Sequence, residues 1–308
     1  MRVTVVGEVV IDRFLSPDGS INDVPGGSAA NTALALQRSG IETALRARFS
    51  TDEAGKHLRH VNAAEGIDLS ASPDASEPAS VVMIKLATDG QPAYVFCLAG
   101  AADWQWTDEE LATPLPTGTG LVHFGSIAAV WQPGAGRMRN WITTLAPRPL
   151  ISFDPNARPA AAATDAEAQL MRDGIDQWIS IADFVKVSDE DLRWITPDVD
   201  EDTTAAAWSR RTNFVVVTRG ERGASVFVDG HTLFDIPGVP TTVVDTVGAG
   251  DTFMAWLIRG VLLALDHQSL TKLAHNATDL RSIVQLAARA AAVTVSRRGC
   301  NPPTLDDV

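Results

Sequence analysis

The run Asp245-Thr-Val-Gly248-Ala249-Gly250-Asp251 follows an apolar, β-branched stretch and opens the helical pattern of Phe253–Leu265. A small-residue turn at a helix start aims backbone N–H groups, and the positive end of the helix dipole, at a single point, so an anion belongs there. Gly248 and Gly250 allow close backbone approach. A phosphate gathering charge on its oxygens during transfer would gain most from such donors. Asp251 stands at the same helix start, where a carboxylate can accept a proton from an attacking hydroxyl. Gly-Ala-Gly-Asp alone is better read as a helix cap after a glycine turn; the longer run, with Asp245 six residues upstream, favours the chemical reading.

A second constellation lies near the other end of the chain. Pro25-Gly26-Gly27-Ser28-Ala-Ala-Asn31 precedes a helix through Leu36. The glycines permit a tight backbone approach, and Asn31 offers the donors and acceptor that sugar hydroxyls require. By itself this is a capped helix start. Asp12, after a strand over Val3–Val10, could accept two sugar hydroxyls or simply end the strand in a turn. Other phosphate and nucleophile motifs are absent: Gly55-Lys56 is followed by His57, no strand carries Gly-x-Gly-x-x-Gly, and there is no Gly-x-Ser-x-Gly.

Together, the glycine pair with Asn31 and the Asp-Thr-x-Gly-Ala-Gly-Asp run resemble the two signature motifs of the ribokinase-like (PfkB) carbohydrate kinases, in the right order and at opposite ends of the chain. Ser50-Thr-Asp52-Glu-Ala-Gly55 is similar to the family's Gly-Asp-Asp-x-x-Gly loop, and Val217-Thr218-Arg-Gly220-Glu-Arg-Gly223 to its nucleotide-side strand and turn. The resemblance implies one α/β domain over residues 1–308, with a central, mostly parallel sheet flanked by helices. A small β lid would come from about 13–25 and 80–99. It also implies ATP with Mg²⁺ and phosphoryl transfer to a hydroxymethyl group.

Carried onto this chain, Asp251 resembles the catalytic base, and Gly248, Ala249 and Gly250 the anion hole. Asp12, Gly26, Gly27 and Asn31 match the sugar contacts. Thr218, Gly220 and Gly223 lie on the nucleotide side. Lys186-Val-Ser188-Asp189-Glu190-Asp191 falls where many members carry Asn-x-x-Glu near metal and phosphates, which places Ser188 and Asp191 there, with Lys186 among the cofactor-binding residues. The loop of Asp245 and the Arg297–Pro303 turn correspond to segments that enclose potassium in many relatives. The helix around Leu286–Arg289 lacks the Asn that many relatives place near adenine.

The resemblance also bears on the acceptor. Ribose-specific members usually have Lys after the glycines, so Ser28 argues against ribose. Ala101-Ala102-Asp103 and Asp154-Pro-Asn156-Ala-Arg158 resemble fructokinases and ketodeoxygluconate kinases, in several of which the arginine matching Arg158 faces the substrate. Ser126 could reach a sugar hydroxyl or cap a helix. Fructose is therefore the favoured acceptor, with nucleoside, ribose and 2-keto-3-deoxygluconate kinases as alternatives and a non-catalytic sugar- or nucleotide-binding regulator as the reading from another class.

The elements that must position these residues alternate. Short β-branched runs at Val3–Val6, Leu121–Phe124, Leu150–Phe153, Phe184–Val187 and Phe214–Thr218 are interleaved with helical patterns, which argues βαβ units around a parallel sheet. Arg13–Pro25 and Ser80–Ala99 break the pattern. The latter reads as a hairpin about a Thr88–Pro92 turn, whose free strand edge could pair with a second copy in a homodimer.

With 308 residues, 45% of them apolar, the chain can bury a substantial core. A net charge of -13 disfavours nucleic acid and anionic membranes as partners. Two cysteines, Cys97 and Cys300, suit a reducing cytoplasm rather than a disulfide scaffold. No secretory or membrane-spanning segment is expected. The tryptophans, including Trp104, Trp106 and Trp131, are expected to fill the core.

Overall fold

In the computed structural model, residues 1–16, 19–86 and 92–308 are described, and residues 88–91 of the expected turn lie outside them. The strands are β1 (Arg2–Val6), β2 (Val10–Leu15), β3 (Ile21–Gly26), β4 (Thr43–Arg46), β5 (Phe49–Ser50), β6 (Asp74–Ala75), β7 (Ser80–Leu86), β8 (Pro92–Cys97), β9 (Thr119–Gly125), β10 (Leu150–Asp154), β11 (Phe184–Ser188), β12 (Val215–Thr218), β13 (Ala224–Val228) and β14 (His231–Ile236). Eight form the main sheet, in the order β14-β13-β12-β11-β10-β9-β1-β4. From β4 to β12 neighbours pair in parallel, and β13 and β14 extend the edge antiparallel.

Strands of a sheet covered on both faces must be apolar on both, since successive side chains alternate. In β12, Val215 and Val217 face one core and Val216 the other, and all three are fully buried. One core lies under the helices Ser28–Arg38, Ala249–Leu265 and Ala277–Val295. The opposite core lies under Gly134–Thr144 and Asp165–Ile179 and contains Trp104, Trp106 and Trp178. The α/β expectation and the filler role of these tryptophans hold. No described helix is long and apolar enough to cross a membrane.

A second sheet, ordered β3-β2-β7-β8, gathers the segments expected around 13–25 and 80–99. Its start corrects one detail of the sequence reading, since Val3–Val10 is not one strand ending in a turn at Asp12. The chain leaves the main sheet after Val6, and Asp12 sits within β2, paired with Val24 and Val82. The departure has a local cause. A Cβ on Gly7 would come within 2.7 Å of the Ala29 Cβ, so the helix Ser28–Arg38 packs directly on the backbone there. Glu8 then turns inward to accept the Ala128 N–H at 3.1 Å, and Val9 N–H is taken by Asp103 at 2.8 Å.

Trp178 is fully buried, stacks on Phe153 at 5.7 Å, packs on Phe124 at 4.3 Å and donates its indole N–H to the Ala129 carbonyl. Trp178→Ala is expected to cost about 3–5 kcal/mol of stability in urea denaturation; a loss below about 1 kcal/mol would contradict this packing.

Candidate active site

The parallel strands end at one edge, the usual place for a site in an open α/β sheet. Gly125, Asp154, Ser188 and Thr218 close β9, β10, β11 and β12 there. Over this edge lies the start of the helix Ala249–Leu265. Gly248, its N-cap, has φ +76°, and a Cβ there would meet Cys300 Sγ at 2.4 Å, so only glycine makes this turn. The first N–H groups of such a helix lack intrahelical acceptors and point outward.

Asp251 is 5% exposed and joins the two sequence motifs. Its Oδ1 accepts the Ser28 hydroxyl at 2.7 Å and its Oδ2 accepts Asn31 Nδ2 at 2.9 Å. Asn156 Nδ2 donates to Ser28 Oγ at 2.8 Å and lies 3.4 Å from Asp251 Oδ1. Ser28 and Asn31 are three apart on one helix, a spacing that puts both on the same face. Gly27, with φ +106°, makes the entry to that helix, where a Cβ would collide with the Glu8 carbonyl at 2.6 Å.

Beside the anion turn is a buried cation. Lys186 Nζ bonds Asp154 Oδ2 at 3.0 Å, with both side chains under 5% exposed. Burial pushes the Asp154 carboxyl up to about 6 against the pull of Lys186. Burial opposes the Lys186 charge too, but Asp154, Asp191 and Asp251 outweigh it and hold the ammonium above its usual value. A Cβ on Gly250 would lie 3.0 Å from Lys186 Nζ. The Ala249 N–H is turned to the Thr246 carbonyl at 3.3 Å, whereas no described bond takes the Gly250 and Asp251 N–H groups, so these, with the ammonium, form a cradle that fits a polyphosphate.

Among the described residues, none of the other expected ones hydrogen-bonds Asp251 or Lys186. Asp12 lies against Gly26, where a Cβ would touch its Oδ2, and burial raises its carboxyl to about 6 despite nearby Arg158. Arg158 Nη1 donates to the Asn156 and Ala157 carbonyls. Ser126, in a strained φ of +54°, lies beside the buried Glu8, whose own pKa burial raises.

Asp191 accepts Ser188 N–H at 3.2 Å and Ala157 N–H at 2.9 Å, closing a capping box with Ser188. Thr218 ends β12, and Gly220 and Gly223 form the positive-φ turn into β13; a Cβ on Gly223 would strike the Ile236 carbonyl. Asp245 accepts Val247 N–H and Gly299 N–H, tying its loop to the turn after Val295. The described residues contain no cluster of three or more His, Cys, Asp or Glu able to hold a metal.

Sequence reasoning did not assign Ser28, Asp154 or Asn156 to the site. For Ser28 the i,i+3 spacing to Asn31 was the available signal. Asn156 has φ +37°, a conformation with no local sequence signature beyond asparagine itself.

A raised carboxyl pKa makes the folded state hold a proton longer than the unfolded chain, so Asp12 weakens stability above about pH 6 and does so less as pH falls toward 4. Asp12→Asn is therefore expected to melt higher than wild type at pH 7 by about 2 °C or more, with the gain gone near pH 4. Equal melting temperatures at pH 7 would contradict the burial cost.

The pfkB family carbohydrate kinase pattern matches residues 1–307. A fructokinase from Rhizobium leguminosarum bv. trifolii is 34% identical over 270 residues, covering 86% of this chain and 79% of the relative. A double-mutant fructokinase from Vibrio cholerae O395, solved with fructose, ADP and potassium, superposes with a TM-score of 0.82 at 24% identity, covering 97% of this chain and 93% of that one. The fructokinase of Xylella fastidiosa with bound ATP gives 0.85 at 21% identity, covering 99% and 96%. With the glycine turn, Asp251 and the buried lysine gathered at one sheet edge, the chain belongs to the pfkB family of carbohydrate kinases.

Proposed function

We propose that the protein is a fructokinase in which Asp251 takes the proton from the acceptor hydroxyl as the γ-phosphoryl group of ATP is transferred to it. One observation carries the reading: the Asp251 carboxylate sits where the anion turn meets Ser28 and Asn31, so a hydroxyl reaching it would also lie beside the phosphate cradle. Fructose, as opposed to another sugar, rests on the curated relative at 34% identity and on Ser28 following the glycine pair.

The chain's own groups would share the work as follows. The N–H groups at the helix start and Lys186 would hold phosphate oxygens and take up charge as the terminal phosphoryl group leaves ADP. Asp12, Gly26, Gly27 and Asn31 would orient the sugar, with Arg158 on the same side. Ser28 and Asn31 keep the Asp251 oxygens aimed, and a substrate hydroxyl would share those oxygens by donating its own proton. Asp251 would then accept that proton as the new O–P bond forms.

Asp191, the carboxylate at the start of the helix after β11, would help hold Mg²⁺ on the phosphate side, and the ion would supply positive charge to offset the negative charge building on the phosphate oxygens. A monovalent cation such as potassium would sit at the Asp245 loop, whose link to Gly299 brings the two backbone segments together. The β2-β3 and β7-β8 strands would act as a lid over the sugar, keeping water from the phosphoryl group.

Coupled ADP release over fructose, ribose, 2-keto-3-deoxygluconate and nucleosides tests the proposal. The highest kcat/KM is expected with fructose, and Asp251→Asn should lower kcat by about 10²–10⁴-fold. A preference for another acceptor would replace the substrate, undiminished turnover by Asp251→Asn would remove the base, and no turnover with any acceptor would favour a binding regulator.

A further inference from the structure

Two strands of the smaller sheet leave the body of the protein side by side, since Val10 and Ser80 are partners in the parallel pairing of β2 and β7. One carboxylate holds both exits. Asp103 Oδ1 accepts the Val9 N–H at 2.8 Å, and its Oδ2 accepts the Ser80 hydroxyl at 2.5 Å. The residue is 1% exposed, and burial, with the charge of Glu8 adding to it, pushes its pKa up to about 7. A carboxyl in such a place is costly for folding alone, where an apolar side chain would avoid the desolvation.

Its mounting is rigid. Asp103 belongs to the short turn Ala102–Trp104, whose Ala102 N–H bonds the Pro78 carbonyl at 2.9 Å. The Ala102 carbonyl accepts Arg48 Nη1 at 2.7 Å, and Trp104 is buried in the second core. Ala79, beside Ser80, is fixed as well, by Asp52 Oδ2 at 2.9 Å.

The backbone that Asp103 grips also supports the catalytic side. A Cβ on Gly27 would lie 2.6 Å from the Glu8 carbonyl and 3.1 Å from Val9 Cα, so Gly27 rests on the Glu8–Val9 peptide. The next residue, Ser28, donates to Asp251. Movement of Val9 would pass through this contact to Ser28.

We propose that Asp103 is a positioning residue: by holding Val9 and Ser80 it fixes both the smaller sheet and the Gly27–Ser28 turn against Asp251, and so sets acceptor affinity without touching the acceptor. The kinetic part rests on the sugar-kinase reading, while the hold on the strands does not.

Hydrogen–deuterium exchange of ligand-free protein, read over residues 10–15 and 80–84, separates the two. Asp103→Ala should speed exchange in both segments by about tenfold and leave the eight-stranded sheet unchanged. The KM for fructose should rise by about tenfold or more, with that for ATP within about twofold. Asp103→Asn should restore most of both, since its amide oxygen can still take the Val9 N–H. Ser80→Ala, which keeps the Val9 bond, should affect 80–84 more than 10–15, and these two milder variants carry the same readouts if Asp103→Ala does not fold.

Wild-type exchange and KM in Asp103→Ala would overturn the proposal. So would faster exchange across the whole main sheet with both KM values rising together, which marks a general loss of stability. If wild type phosphorylates no sugar, faster exchange confined to the two segments still supports the hold on the strands, and the failure lies with the sugar-kinase reading.

Discussion

The carboxylate of Asp251 bonds Ser28, 223 residues away in the chain, and Asn31, 220 residues away. These short contacts oblige the first helix and the helix Ala249–Leu265 to pack side by side with their starts together. Both starts are built on glycines in left-handed or otherwise positive-φ conformations, Gly27 and Gly248, because each turn presses its backbone on a neighbour. The main sheet supplies a floor rigid enough to keep that junction in register. A carboxylate 5% exposed would be costly if left without donors, and Ser28 and Asn31 supply them.

The second constraint is electrostatic. Lys186 lies buried among Asp154, Asp191 and Asp251, a group that would be unstable as an isolated cation in the same place. Its charge neutralises part of the acidic character of the edge and leaves a cation beside the glycine turn. This local device explains how a chain of net charge -13 can offer a polyanion a binding place. The long-range field repels, and short-range N–H groups and one ammonium attract.

Much of this was legible in the sequence. Alternating β-branched and Ala/Leu-rich runs gave the parallel sheet, because strands covered on both faces must be apolar throughout. The two glycine motifs marked the helix starts, because close backbone approach excludes other residues. Less legible were contacts set by tertiary geometry. The break at Gly7–Val9 is made by Ala29, Ala128 and Asp103, from three distant segments, so an apolar run from Val3 to Val10 read as one strand. The bond of the Asn31 amide to Asp251, 220 residues away, is likewise set by the meeting of two helix starts and has no local pattern. Lys186 with Asp154, and Asp103 with Ser80, are pairings across the fold that spacing along the chain does not encode.

The central claim is that Asp251 serves the chemical step while the surrounding groups bind. Calorimetric titration of fructose into Asp251→Asn in the presence of a non-hydrolysable ATP analogue tests it most directly. Binding within about tenfold of wild type is expected, because the amide still fills the place between Ser28 and Asn31, alongside a collapse of turnover. A folded variant that no longer binds fructose, or one that binds and still turns over at the wild-type rate, would contradict it.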